Sequence, residues 1–439
     1  MAASLLAVDY GTAYTVALRR HPGGIVEPVR IDGEEGLPSA VFVKHGDLIT
    51  GREAVRCARI DPVMFHPAPK LDLGRDDRGE HPVRLAAATL RRIAGAAPAD
   101  RAVLTTPATW PPARRRRLAE AAAAAGLPAA GLVPRPVAAA TYCARLRPVA
   151  EGGAVLVHHL GAGGFEATAL RLGEGAFEVL AAVAHPAGGR LLDEMTAHRF
   201  ATALSPFEPG SGPPSARHRL GLLDNARDAR EALSRQEYLE PLRPGAEGLT
   251  RAALEEVLRP VLAATVATGR EALAQAGIGG EPVAWFLTGA ASATPLLPRL
   301  VREQARVEPL VLRHPRHAVA AGALWSAAGD EPPRDGPDLL LLDTRRTYAA
   351  GGGHVTSSWH ATSAPVEQLR QWYHHSLPGH AEAPAGRWSH ERLDGGFRHF
   401  HHVSLFPAGD PAAAGLGPSW RVPDHLLTVI RDDTAILPA

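Results

Sequence analysis

Apolar positions along most of this chain fall into two patterns. Short runs rich in branched side chains, bounded by glycine or polar turns, predict strands, while longer alanine-rich stretches closed by glycine predict helices. The first run, Ser4-Leu-Leu-Ala-Val-Asp9, meets the turn Tyr10-Gly11-Thr12 and returns as Ala13-Tyr-Thr-Val-Ala-Leu18. This is a hairpin pattern. It recurs over 154–184, where Ala154-Val-Leu-Val-His-His159 leads into Leu160-Gly161-Ala162-Gly163-Gly164 and returns as Phe165-Glu-Ala-Thr-Ala-Leu170. Leu6-Ala-Val-Asp9-Tyr-Gly11 superposes on Leu156-Val-His-His159-Leu-Gly161 at a constant offset, which reads as an internal duplication.

Each hairpin is followed by further strands and helices. The first half continues with strands in 40–50 and at Arg101-Ala-Val-Leu-Thr-Thr106, then a helix over 113–125 opened by Pro111-Pro112 and closed by Gly126. In the second half, helices are predicted over 190–203, 219–235, 251–276 and 316–328, with a strand at 283–288. Residues 205–214 read as a loop and 329–337 as a linker, since both are dense in proline and glycine. Beyond the linker the pattern changes to strands around one helix, 365–373, and residues 339–439 carry many of the histidines and tryptophans. The expected organisation is a two-lobed α/β unit over 1–328 (lobes about 1–150 and 151–328), a linker at 329–338 and a small α+β domain at 339–439.

Composition narrows the function classes. A chain of 439 residues has room for two or three domains at roughly 150 residues each, and 45% hydrophobic residues suffice for packed cores. The net charge of +1 gives no general attraction to nucleic acid or to an anionic membrane. Arg114 to Arg117 point in several directions around a helix and read as a solvated face. Cys57 and Cys143 are too few for a disulfide framework, and no stretch has the ~18 apolar residues of a membrane helix, so a cytoplasmic location is expected. All but two of the 47 basic residues are arginine, which makes Lys44 and Lys70 stand out.

A glycine-turn hairpin presents consecutive backbone N–H groups to an anion, and two facing hairpins can hold a polyphosphate between them. Six segments, the two hairpin turns among them, follow one another in a definite order. They are Val8 to Tyr14, Pro107-Ala108-Thr109-Trp110, Val133 to Ala140, Leu160 to Glu166, Thr288 to Pro295 and His314 to Ala323. Together they resemble the phosphate, connecting and adenosine motifs of the nucleotide-binding domain of DnaK-type heat-shock chaperones, members of the actin and sugar-kinase superfamily. The resemblance runs from about residue 4 to 327. It implies a duplicated actin-like ATPase fold with two lobes around a nucleotide cleft.

The resemblance also assigns residues. Asp9 takes the place of the acid on the first hairpin, and Lys70, in Pro69-Lys70-Leu71, that of the catalytic lysine. Phosphate and nucleotide contacts fall on Gly11, Thr12, Tyr14, Gly161, Gly163, Gly164, Gly188, Gly189, Arg230, Ser234, Gly289 and Gly322. Other positions depart from the family. His159 replaces the second hairpin's aspartate, Gly164 a threonine and Arg135 a glutamate, while Ala293 and Arg316 replace base contacts. ATP or ADP is the implied ligand, but the three changed catalytic positions speak against Mg²⁺-dependent hydrolysis, and Arg135 and His159 are expected to make the cleft more cationic.

The tail does not resemble the family's substrate domain. In Phe397-Arg398-His399-Phe400-His401-His402, His399 and His401 share one face of a strand and are a candidate metal pair. Three functions follow as expectations. One is a nucleotide- or polyanion-binding, chaperone-like module with little turnover, whose C-terminal domain meets a protein partner. The others are an active ATPase chaperone, and a scaffold or metal-binding protein built on the tail.

Overall fold

The computed structural model describes residues 3–21, 26–75, 81–128, 131–205, 215–278, 283–312 and 316–327 with their side chains. Beyond these it describes strands between 340 and 436 as backbone. The chain divides into two compact units, one of Leu5–Arg19 with Pro28–Ala327, the other of Met1–Ser4, Arg20–Glu27 and Ala328–Ala439.

In the larger unit the duplication is visible as topology. The first sheet places Tyr14–Arg20 beside Leu5–Tyr10, followed by Arg101–Thr106 and Gly131–Pro134. Those last three strands run parallel. The second sheet runs Ala176–His185, Phe165–Gly173, Ala154–Leu160, Val283–Thr288, Leu310–Val311. It too is antiparallel through its hairpin strands and parallel beyond them. Leu5–Tyr10 and Ala154–Leu160 are buried almost end to end, as strands covered on both faces must be. Each sheet has its own apolar core, one around Leu6, Leu90, Leu104 and Leu118, the other around Leu156, Leu258, Trp285 and Leu300.

Helix boundaries follow the expected ones closely: Pro112–Ala124, Ala216–Leu233, Arg251–Gln275 and Ala318–Ala328. The helix expected over 190–203 is instead two, Gly189–Arg199 and Ala201–Leu204, because Phe200 leaves helical geometry at φ −115°, ψ 23°. Beyond the sequence reading are the short helix Pro69–Asp72 and the longer helices Gly51–Ile60, His81–Ala96, Leu296–Ala305 and Arg135–Leu146. The last of these touches strands of both sheets, which makes it a spine between the lobes.

The second unit contains a six-stranded antiparallel sheet in the order Leu340–Tyr348, His354–Thr362, Leu426–Ile436, Phe397–Phe406, Arg387–Asp394, Ala381–Ala383. The expected helix at 365–373, the linker at 329–337 and most of the loop at 205–214 lie outside the described residues. No described helix is long and apolar enough to cross a membrane.

Candidate functional site

The two hairpins converge at the ends of their parallel strands. Register explains why. Val8 pairs with Leu104, so Asp9 arrives beside Thr105, and His159 pairs directly with Thr288. Thr105 Oγ1 donates to Asp9 Oδ1 at 2.7 Å, and His159 Nδ1 lies 3.1 Å from Thr288 Oγ1. Each hairpin thus holds the candidate side chain at its turn against a threonine of the neighbouring parallel strand, and the two halves repeat one device. Between them opens a cleft of about 550 Å³. It is lined by Asp9, Gly11, Thr12, Tyr14, Lys70, Arg135, His159, Gly161, Gly163, Gly164, Gly189, Arg230, Gly289 and Arg316, so most of the assigned residues are brought together.

The glycines are demanded by close approach. A Cβ on Gly11 would sit 2.2 Å from Tyr14 O in its own turn, and one on Gly163 would sit 2.5 Å from Thr12 Oγ1 of the facing hairpin. Gly188 does not line the cleft but supports it, with the Gly164 amide 2.4 Å from where its Cβ would be. The helix Gly189–Arg199 is pinned to the second hairpin by Gly189 N–H and Arg190 N–H, which donate to Gly161 O and Ala162 O at 2.8 and 2.9 Å.

The charges interlock. Arg135, on the first turn of its helix and only 7% exposed, donates from Nη2 and Nε to Asp9 Oδ1 at 3.2 and 3.4 Å. Burial alone would raise the Asp9 carboxyl, but Arg135, Lys70, the Thr105 hydrogen bond and His159 together hold it at about 2. Lys70, 3% exposed, donates to Tyr10 O and lies 5.2 Å from the Trp110 ring centroid. Burial and the Arg135 charge push its ammonium well below the usual lysine range. His159 is pushed down to about 3 by burial and by Arg135. It is therefore a neutral imidazole at physiological pH, and the expected cationic contribution at that position is corrected: the added positive charge is Arg135 alone, and Asp9 balances it.

Several residues at the site went unassigned in the sequence. Arg114, read as part of a solvated run, stacks on Trp110 at 4.2 Å, donates to Lys70 O and Leu71 O at 2.9 and 3.2 Å, and lines the cleft. Its signal was the nearby Trp110, whose face attracts a guanidinium. Glu166 Oε1 accepts the Thr109 amide at 2.8 Å, while Oε2 is buried with no partner among the described residues. Its place at the end of the second hairpin motif was the available clue. Asp193 is buried and takes Arg230 Nε at 2.8 Å and Arg227 Nε at 3.3 Å. Arg230 is thereby committed within the protein, and Ser234 Oγ donates back to Arg230 O at 2.9 Å.

Other assigned residues serve elsewhere. Gly322 lets its helix meet Ala138, whose carbonyl oxygen lies 1.7 Å from where a Cβ would be. Ala293 ends the short 3-10 helix after Gly289 and does not line the cleft. Arg316 lies over the Tyr14 ring at 5.0 Å. In the second unit, the strand register sets His401 opposite His390 and Asp432, and His399 opposite Arg392 and Thr434. The side chains of both histidines lie outside the described residues.

A family description, "Hsp70 protein", matches residues 81–365. Among curated relatives, a chaperone protein HscA homolog of Bordetella petrii is 33% identical over 355 residues, 71% of this chain and 56% of the relative. A second HscA homolog, of Aeromonas hydrophila, is 29% identical over 76% of this chain and 59% of its own. The chaperone protein DnaK of Thermotoga maritima is 28% identical over 77% of this chain and 62% of its own. The chain thus spans little more than half the length of these relatives.

Proposed function

This chain belongs to the Hsp70 family, and we propose that its cleft binds a nucleotide and turns it over slowly or not at all, so that occupancy rather than hydrolysis is what it signals. The observation that carries this reading is the ion pair of Arg135 with Asp9 at 3.2 Å. Phosphoryl transfer to water is catalysed by positioning and by charge, and it needs anions that orient the water and neutralise a metal. Here the first hairpin's acid is already neutralised by a guanidinium, and a neutral imidazole stands on the second. Binding asks for less. Backbone N–H groups in tight glycine turns, Lys70 and Arg135 are enough to attract a polyphosphate.

The donor set does not suit Mg²⁺, which prefers near-octahedral oxygen ligands and their waters. Asp9 Oδ1 already accepts three donors, and His159 offers nitrogen. Recognition of the base is expected to be weak, since Arg227 and Arg230 are held by Asp193. We assign 1–328 to the nucleotide-binding domain with lobes at about 1–150 and 151–328, 329–338 to a linker, and 339–439 to a small domain that meets a protein partner. In this reading the protein is a cytoplasmic, ligand-gated module of chaperone ancestry.

Calorimetry with ATP and ADP, paired with a phosphate-release assay, tests the proposal. Both nucleotides are expected to bind, and Asp9→Asn should leave phosphate release at background. Absence of binding to either, with Lys70→Ala equally silent, would overturn it. Glu166 supports a second reading. Its unpartnered buried oxygen in the cleft could take over the lost acids' role in a working ATPase. Vigorous phosphate release that disappears in Glu166→Gln while ATP still binds would establish that alternative.

A further inference from the structure

Arg135 does more than cancel a charge. Its Nε and Nη2 face one oxygen of Asp9, at 3.4 and 3.2 Å, and Nη1 has no partner among the described residues although the side chain lines the cleft. A guanidinium is planar, permanently charged and forked, so it can bond a carboxylate along one edge and a phosphate with its remaining amino group. A metal ion does the same work when it bridges a carboxylate and a polyphosphate. Arg135 is also held firmly: it is 7% exposed, fixed to the helix Arg135–Leu146, and its Asp9 partner is itself fixed by Thr105 at 2.7 Å.

We propose that this cleft takes its polyphosphate without a divalent metal, with Arg135 as the built-in cation that bridges Asp9 and the phosphate. The proposal rests on the reading of the cleft as a nucleotide site. It goes further by naming the species bound, the free polyphosphate rather than its metal complex. Lys70 supplies a second donor beside the first hairpin, its amino group held at Tyr10 O. Asp9 neutralises the buried guanidinium, which unpaired would be costly to desolvate. An incoming anion adds a second partner without displacing the first. A divalent cation would have to enter beside Arg135 and Lys70, where Asp9 Oδ1 already holds three donors.

The test is calorimetric titration of the full chain with ATP, once in EDTA and once in excess Mg²⁺ at matched ionic strength. The dissociation constants are expected to agree within about threefold, and Arg135→Met should weaken binding in EDTA by about tenfold or more. Circular dichroism checks that the variant is folded, and the two wild-type titrations decide even if it is not. Binding that needs Mg²⁺, or that Mg²⁺ tightens by about tenfold, would overturn the metal-free site while leaving the nucleotide reading intact. A folded Arg135→Met that binds as the wild type does in EDTA would overturn the bridging role. No binding under either condition would overturn both proposals together.

Discussion

His158 and His159 are adjacent on one strand, and both are driven to about 3, His158 by burial and His159 by burial and Arg135. In the unfolded chain they titrate near 6.5, so between 6.5 and 3 the unfolded state binds more protons and stability falls as the pH falls. Asp9 works in a lower window. Its folded value of about 2 lies below the unfolded 3.8, so its contribution is present above 3.8 and lost as the pH drops through 2. Acid sensitivity above pH 4 should therefore come from the histidines, at about 2 kcal/mol each by pH 5. Urea denaturation at pH 7 and pH 5 measures it, and His158→Gln should remove its share. An unchanged midpoint between the two pH values would refute the assignment. Lys70 adds a linked effect: a bound polyphosphate would restore the ammonium that burial and Arg135 suppress. ATP binding should then take up protons, read from calorimetry in buffers of different ionisation enthalpy.

Among the elements, the contact between helices Ala318–Ala328 and Arg135–Leu146 is set by one missing Cβ. Alanine in place of glycine favours an isolated helix by about 1 kcal/mol. At Gly322 the added carbon would fall 1.7 Å from Ala138 O, so the helices must separate. Overpacking of that kind costs about 1–3 kcal/mol, which exceeds the propensity gain. Gly322→Ala should therefore destabilise the protein. It should also weaken nucleotide binding, because the displaced helix is the one that carries Arg135. Gly269 plays a similar part between the helix Arg251–Gln275 and the strand Val283–Thr288, its Cβ position 2.7 Å from the buried Trp285 ring. Denaturation midpoints of Gly322→Ala and Gly269→Ala check this, and a stabilised variant would show that the packed elements tolerate the shift.

At the scale of the whole molecule, the proposed nucleotide would tie the two sheets through one ligand. A nucleotide at ~100 times its dissociation constant adds about 2.7 kcal/mol to stability. Thermal melts should rise with ATP in EDTA as well as in Mg²⁺, and the rise should shrink in Lys70→Ala. A rise seen only with Mg²⁺ would contradict the metal-free site. What the sequence by itself determined was the family and the duplicated architecture. Glycine turns, branched apolar runs and their order are local signals, and they carry the hairpins at 4–19 and 154–184 in the chain's own spelling. The strand Val283–Thr288 and the long helix Arg251–Gln275 were legible for the same reason. The helix Arg135–Leu146 was not, although Pro136 in its first turn is a helix-opening signal, because its first residues carry a motif of their own. Only the tertiary structure decided how the charges are spent. Parallel register brings Thr105 to Asp9 across 96 positions, and helix placement brings Arg135 to it across 126. Burial makes His159 neutral, and Trp110 draws Arg114 out of a run that looked solvated. Composition counts charges, but pairing and desolvation set their effect, and both depend on which distant strands and helices meet.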